Sequence, residues 1–277
     1  MNDKIIEFPK FGHLIVVSDL HGNYEDYEAY INLWDRKDPD YHILFLGDLI
    51  HSPYFNDMSI EILDDVIEKF KEYPNFHVLL GNHEWAHITH ADIFKGGDNQ
   101  REDFEHLISH KKGFIEPTIT EYIKFFKTLP FFAKTANGLF ISHAGPSKKV
   151  NSIDDFNDIF DGNYNNPILD EFLWNRPSRN IYRSQNASST KGKYTERDVF
   201  SFLNVIGSKC MVVGHSPVNG YEKLGNQLII SSSFDTDNKV YLDIDLSKDI
   251  LHMNHLLDCI KYLDWNWHIL IQRNKSF

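Results

Sequence analysis

A chain of 277 residues that is 42% hydrophobic and 14% aromatic can bury a sizeable core, and no Pro/Gly/Ser-rich linker or repeat divides it, so one domain over 1–277 is expected. The formal charge of −12 argues against a nucleic-acid backbone as partner, because such binding needs clustered Lys and Arg. Two cysteines, Cys210 and Cys259, imply no disulfide framework. The absence of a signal-peptide core or an 18-residue apolar stretch argues against secretion and membrane insertion, which makes a cytoplasmic location the simplest expectation.

Five short apolar runs rich in β-branched residues read as buried strands: His13–Val17, Tyr41–Leu46, Phe76–Leu80, Leu139–Ile141 and Cys210–Val213. Each gives way to a polar cluster. In chain order these are Ser18-Asp19-Leu20-His21-Gly22-Asn23, Gly47-Asp48, Gly81-Asn82-His83-Glu84, Ser142-His143-Ala144-Gly145 and Gly214-His215-Ser216-Pro217. Between the third and fourth, Glu84–Thr128 mixes charged and aromatic positions with a break at Gly96-Gly97. It reads as a helical insertion over about 85–128, on which His87, His90, His106 and His110 are expected to be exposed.

Between the last two clusters, a loop or cap insertion over about 147–195 contains Trp174-Asn175-Arg176, and Arg176, Arg179 and Arg183 fall within eight positions. Residues 184–193 are polar and lack apolar periodicity, as a loop would. The tail after Leu246, with Ile250, Met253, Trp265 and Trp267, is too apolar for solvent and is expected to pack on the domain.

Carboxylate, imidazole and amide oxygen suit first-row divalent ions, and one shared carboxylate can hold two of them about 3.5–4 Å apart. Placed at the C-terminal ends of strands, where loops of an open α/β sheet converge, these clusters describe a dinuclear site for phosphate ester hydrolysis.

In order and approximate spacing, from Leu14 to Leu246, the clusters resemble the phosphoprotein phosphatase (Ser/Thr protein phosphatase) branch of the calcineurin-like metallophosphoesterases, whose pattern is GDxHG, GDxxDRG, GNHE, HGG or HAG, and a late GH. The resemblance implies an α/β fold with two facing mixed β-sheets flanked by helices. It implies that Asp19 and His21 bind one metal, that Asp48 bridges both, and that Asn82, His143 and His215 complete the shell of the second metal. His83 would stand beside the leaving-group oxygen, as acid or as electrostatic stabiliser, after attack by a metal-bridging hydroxide. The ions would be manganese, with iron or zinc as alternatives.

One departure stands out. After Gly47-Asp48 the family continues x-x-Asp-Arg-Gly, whereas this chain reads Leu49-Ile50-His51-Ser52-Pro53. The Asp that orients the catalytic histidine and the Arg that grips phosphate are both replaced. His51 is a candidate partner for His83 or for phosphate, and Arg183 or Arg176 is the expected substitute clamp, because a planar guanidinium matches phosphate oxygens. Asn82 also falls on the substrate side.

The function these features imply is hydrolysis of a phosphomonoester, in a phosphorylated protein or a small phosphoester. A dinucleoside polyphosphate hydrolase of the diadenosine tetraphosphate type shares the same motifs and is the alternative. The negative charge disfavours a phosphodiesterase, and the intact ligand set disfavours a catalytically weak binding module.

Overall fold

The computed structural model of the chain describes residues 3–53, 56–157, 159–160, 162–178, 192–233 and 236–263. Its centre is a pair of mixed sheets. In the five-stranded sheet the order is β15 (Ile260–Tyr262), β14 (Val240–Asp245), β2 (His13–Val17), β3 (Tyr41–Phe45), β4 (Phe76–Val78). In the six-stranded sheet it is β1 (Ile5–Phe8), β7 (Phe132–Thr135), β8 (Leu139–Ser142), β11 (Cys210–Val213), β13 (Gln227–Ile230), β12 (Tyr221–Leu224). Strands β2, β3 and β4 are parallel, as are β8, β11 and β13, while β14 runs antiparallel to β2.

Parallel strands covered on both faces read as continuous apolar runs rather than alternating ones. That is why HLIVV and CMVV are buried almost throughout. Alternate residues divide between two layers. Leu14, Val16, Leu44 and Leu79 of one sheet meet Leu139, Ile141, Val212 and Leu228 of the other. On the outer face of the first sheet, Ile15, Val17, Ile43 and Phe45 share a core with Tyr27 and Tyr30 of α1 (Tyr24–Leu33) and Ile60 and Leu63 of α2 (Ser59–Glu72). Phe140 on the other sheet's outer face packs against Phe172 of α6 (Pro167–Trp174) and Phe202 of α7 (Glu196–Ile206). A fully buried aliphatic or aromatic side chain in these layers contributes about 1.5–3 kcal/mol.

The expected helical stretch carries α3 (Asn82–Thr89), α4 (Gln100–Lys112) and α5 (Ile115–Phe126). The break at Gly96-Gly97 is the turn of a two-stranded ribbon, β5 (Phe94–Lys95) with β6 (Asp98–Asn99), and both glycines take positive φ there, 64° and 103°. Arg176–Pro177 (β9) pairs with Lys193–Tyr194 (β10) across the base of the second insertion. In the tail, Ile250 and Met253 at the start of α8 (Met253–Leu257) join the layer between the sheets, whereas Trp265 and Trp267 lie outside the described residues. Cys210 is buried and free, and no described helix is long and apolar enough to cross a membrane.

Strand register places the site. Val17, Phe45 and Val78 are aligned across β2, β3 and β4, so Asp19, Asp48 and Asn82, two to four residues further on, emerge side by side at one edge. In the other sheet Ile141 is aligned with Val212, which brings His143 and His215 to the same edge.

Candidate metal centre

A cleft of about 430 Å³ opens at this edge, lined among others by Asp19, His21, Asp48, Asn82, His83, Arg176 and His215. The chain turns abruptly to aim its side chains inward. His21, Asp48 and His215 have φ of 47°, 53° and 60°, a left-handed conformation that costs a non-glycine residue about 1–3 kcal/mol and persists only where the surroundings enforce it. Glu84 supplies part of that enforcement. Its carboxylate is fully buried and accepts from Asp48 N at 2.9 Å, Leu49 N at 2.8 Å and Gly81 N at 3.2 Å, which ties the Gly-Asp turn to the head of α3. A Cβ on Gly81 would lie 2.3 Å from Asp48 N, so only glycine fits there.

Donor atoms converge on Asp48. Its Oδ2 lies 3.4 Å from His143 Nε2, 3.8 Å from His83 Nε2 and 3.9 Å from His21 Nε2. His21, Asp48 and His83 form one potential ion-holding group, and Asp48, His143 and His215 form another. Asp19 joins from the side, with Oδ2 3.7 Å from His21 Nε2 and Oδ1 accepting from His215 N at 2.9 Å. Asn82 Oδ1 lies 2.9 Å from His143 Nε2.

The tautomers test whether these residues fit a cation. His143 Nδ1 is 3.0 Å from the Leu46 carbonyl and His21 Nδ1 is 3.1 Å from the Ile50 carbonyl. A carbonyl only accepts, so each Nδ1 carries the hydrogen and each neutral ring turns a bare Nε2 toward the carboxylates. Lone pairs facing carboxylate oxygens repel one another until a positive ion sits between them, so the donor set fits a metal. Burial keeps the rings of His21, His143 and His215 neutral by lowering their pKa. Burial first, then the charges of Asp19 and Glu84, pushes the Asp48 carboxyl well above its ordinary range. A divalent ion reverses both penalties.

The structure brings together all six expected ligands and His83. It corrects His51, whose ring is buried behind His83 with Nδ1 2.7 Å from His83 Nδ1 and Nε2 2.8 Å from His87 Nε2. With both nitrogens engaged and the ring out of the cleft, His51 meets the first of its two expected partners and not phosphate. His87 also departs from expectation: it is buried, while His90, His106 and His110 are exposed. Arg176 reaches the cleft and donates from Nε to His215 Nε2 at 3.1 Å, whereas Arg179 and Arg183 lie outside the described residues. Trp174, from the Trp174-Asn175-Arg176 cluster, lines the same cleft; Phe94 and Lys95 of the ribbon line it too without having been singled out, and they carry no local motif that would have marked them.

The family model for calcineurin-like phosphoesterases matches residues 12–219, three quarters of the chain and every one of these clusters. The chain belongs to that family. Membership implies divalent metal ions, in agreement with the His and Asp groups around Asp48.

Among curated relatives of this phosphoesterase, a serine/threonine-protein phosphatase of Caenorhabditis elegans is 24% identical over 227 residues, which cover 79% of this chain and 46% of that protein. The chain thus spans under half of that relative's length. A solved protein serine/threonine phosphatase from Saccharomyces cerevisiae, with similarity to human phosphatase PP5, matches with a TM-score of 0.67 at 18% identity, over 87% of this chain and 76% of that one. A cold-active protein-tyrosine phosphatase of a psychrophilic Shewanella matches with a TM-score of 0.57 at 15% identity, over 95% and 85%. At such identities the likeness is one of fold.

Proposed function

We propose that this calcineurin-like phosphoesterase is a metal-dependent phosphomonoester hydrolase of the serine/threonine protein phosphatase type. The observation that carries the reading is the convergence of three imidazole nitrogens and an amide oxygen around the Asp48 carboxylate, at the edge shared by both sheets. Family membership and the curated phosphatase relative support it.

Asp19, His21 and Asp48 would hold one ion, and Asp48, Asn82, His143 and His215 the other. The mixed N/O donor set favours manganese, with iron or zinc as alternatives. When bound, two such ions supply a water of lowered pKa and neutralise phosphoryl oxygens. The chain's own groups do the rest. Asp48 is locked in place through Oδ1, which accepts from His83 N at 3.0 Å. His83 turns Nε2 into the cleft, where it can donate to the leaving-group oxygen. Arg176 and Lys95 bring positive charge to the rim of the cleft, the role left open by the replaced Asp-Arg-Gly.

A turnover panel tests this with the manganese-loaded protein against a phosphoserine peptide, an aryl phosphate, an aryl phosphodiester and diadenosine tetraphosphate. The peptide and the aryl phosphate should be hydrolysed, and chelation should abolish the activity. Full turnover in a preparation shown by elemental analysis to be metal-free would overturn the reading. Preference for the tetraphosphate would move the chain to the dinucleotide hydrolases.

A further inference from the structure

Gln100 lines the cleft and is 8% exposed, yet among the described residues its side-chain amide has no hydrogen-bond partner. The backbone around it is fixed. Gln100 N donates to Ile93 O at 2.9 Å, which closes the base of the β5–β6 ribbon, and Gln100 is the first residue of α4. On either side of it, Asn99 Nδ2 and Arg101 Nη2 donate to Asp92 Oδ1 at 2.9 and 3.2 Å. The amide is thus held at the cleft wall by its pinned neighbours, while its own donor and acceptor are left to whatever enters.

A buried amide without partners costs free energy, because water has been taken from it and nothing replaces that water. An apolar side chain would fill the same place without the penalty. The amide carries N–H donors on Nε2 and an acceptor on Oε1, so the group that completes it must offer an acceptor and a donor side by side. Phosphate oxygens only accept, which leaves Oε1 unanswered, and Glu102 and Asp103 in the first turn of α4 disfavour an anion beside it. An extended peptide matches the amide better, since the C=O and N–H of one residue point to the same side, as they do in a β-ladder.

A phosphorylated serine or threonine brings such a pair with it. Its side chain is short, so seating the phosphorus beside Asp48 and His83 draws the substrate's main chain into the mouth of the cleft, where its C=O and N–H groups lose water and need partners. We propose that Gln100 is a specificity-determining residue: Nε2–H donates to the C=O, and Oε1 accepts from the N–H, of one residue of an extended substrate chain next to the phosphorylated side chain. The inference rests on the phosphomonoesterase reading of the cleft. A small phosphoester lacks the pair and gains nothing from Gln100. The edge of adenine also offers a donor and an acceptor, and the experiment separates it from the peptide.

The test compares the manganese-loaded parent with Gln100→Leu, which keeps the bulk and removes the polar atoms. The substrates are a phosphoserine peptide flanked by alanines, an aryl phosphate and diadenosine tetraphosphate. Gln100→Leu should lower kcat/KM for the peptide at least tenfold more than for the aryl phosphate. Calorimetry with a non-hydrolysable phosphonate analogue of the peptide should show Kd raised by a similar factor. When each amide flanking the phosphoserine is replaced in turn by an ester, one of the two esters should cost the parent about tenfold and cost Gln100→Leu nothing further. Equal losses on peptide and aryl phosphate, or no loss on the peptide, overturn the proposal. A loss confined to the tetraphosphate also overturns it, assigning Gln100 to adenine. If Gln100→Leu fails to fold, the ester series on the parent decides. If the parent hydrolyses neither phosphoester, the functional reading falls and binding of the phosphonate peptide decides for Gln100: a Kd that depends on Gln100 upholds its role, and a parent that does not bind the analogue overturns it.

Discussion

Asp48 ties the cleft together, since Oδ1 holds the His83 backbone at 3.0 Å and Oδ2 faces three rings. Asp48→Asn should therefore lose bound metal, read by elemental analysis, together with turnover. His83→Ala should keep its metal and lose about 10²–10³-fold in kcat, the scale of removing one donor from a developing oxyanion. If His83→Ala emptied the site instead, His83 would be a ligand, as its grouping with His21 and Asp48 also allows. Gly81→Ala is a sharper probe of the scaffold. Its Cβ would meet Asp48 N at 2.3 Å and Asp48 Oδ1 at 2.4 Å, both on a fixed turn, so a loss of about 1–3 kcal/mol in urea unfolding and weaker metal retention are expected together.

At the scale of elements, the β5–β6 ribbon is the part of the insertion that reaches the substrate side, with Phe94 exposed at 68% and Lys95 lining the cleft. Lys95→Ala or Arg176→Ala should raise KM or lower kcat/KM by about tenfold or more, the 1.5–3 kcal/mol of a charged hydrogen bond. If neither changes turnover, phosphate is held without them. The five strands, and the convergence of the polar clusters that end them, were legible in the sequence because each signal is local, an apolar run and the cluster that follows it. The His51–His87 contact spans 36 positions and depends on where α3 points, and Glu84 looks like an ordinary first-turn helix charge until the Asp48 turn is seen against it. Phe94 and Lys95 were hidden by the same limit: the Gly96-Gly97 signal announces a break, and only the folded ribbon shows that the side chains before it line the cleft.

For the molecule as a whole, half-buried histidines tie stability to pH. His42 Nδ1 meets His77 Nε2 at 3.1 Å beside the Phe8 ring, and burial followed by the neighbouring His42 pushes His77 down to about 3. The unfolded chain takes up the proton near pH 6.5 and the folded one does not. This contribution is thus fully present above pH 6.5 and is lost toward pH 3, at up to about 1.4 kcal/mol per pH unit for one such group. Urea unfolding at pH 7, 6 and 5 should show the fall, with a shallower slope for His77→Gln; an unchanged slope would assign the loss elsewhere. The seam between the sheets has a different consequence. Four of the proposed ligands hang from one sheet, and His143 and His215 from the other, so the 3.4 Å from His143 to Asp48 gauges how far apart the two layers stand. Leu79, Ile141 and Val212 act as a shim whose thickness sets the bite of the site. Removing one methyl from that shim, as in Ile141→Val, becomes an alteration of the jaws themselves, felt as a changed grip on the ions by a residue that touches none of them.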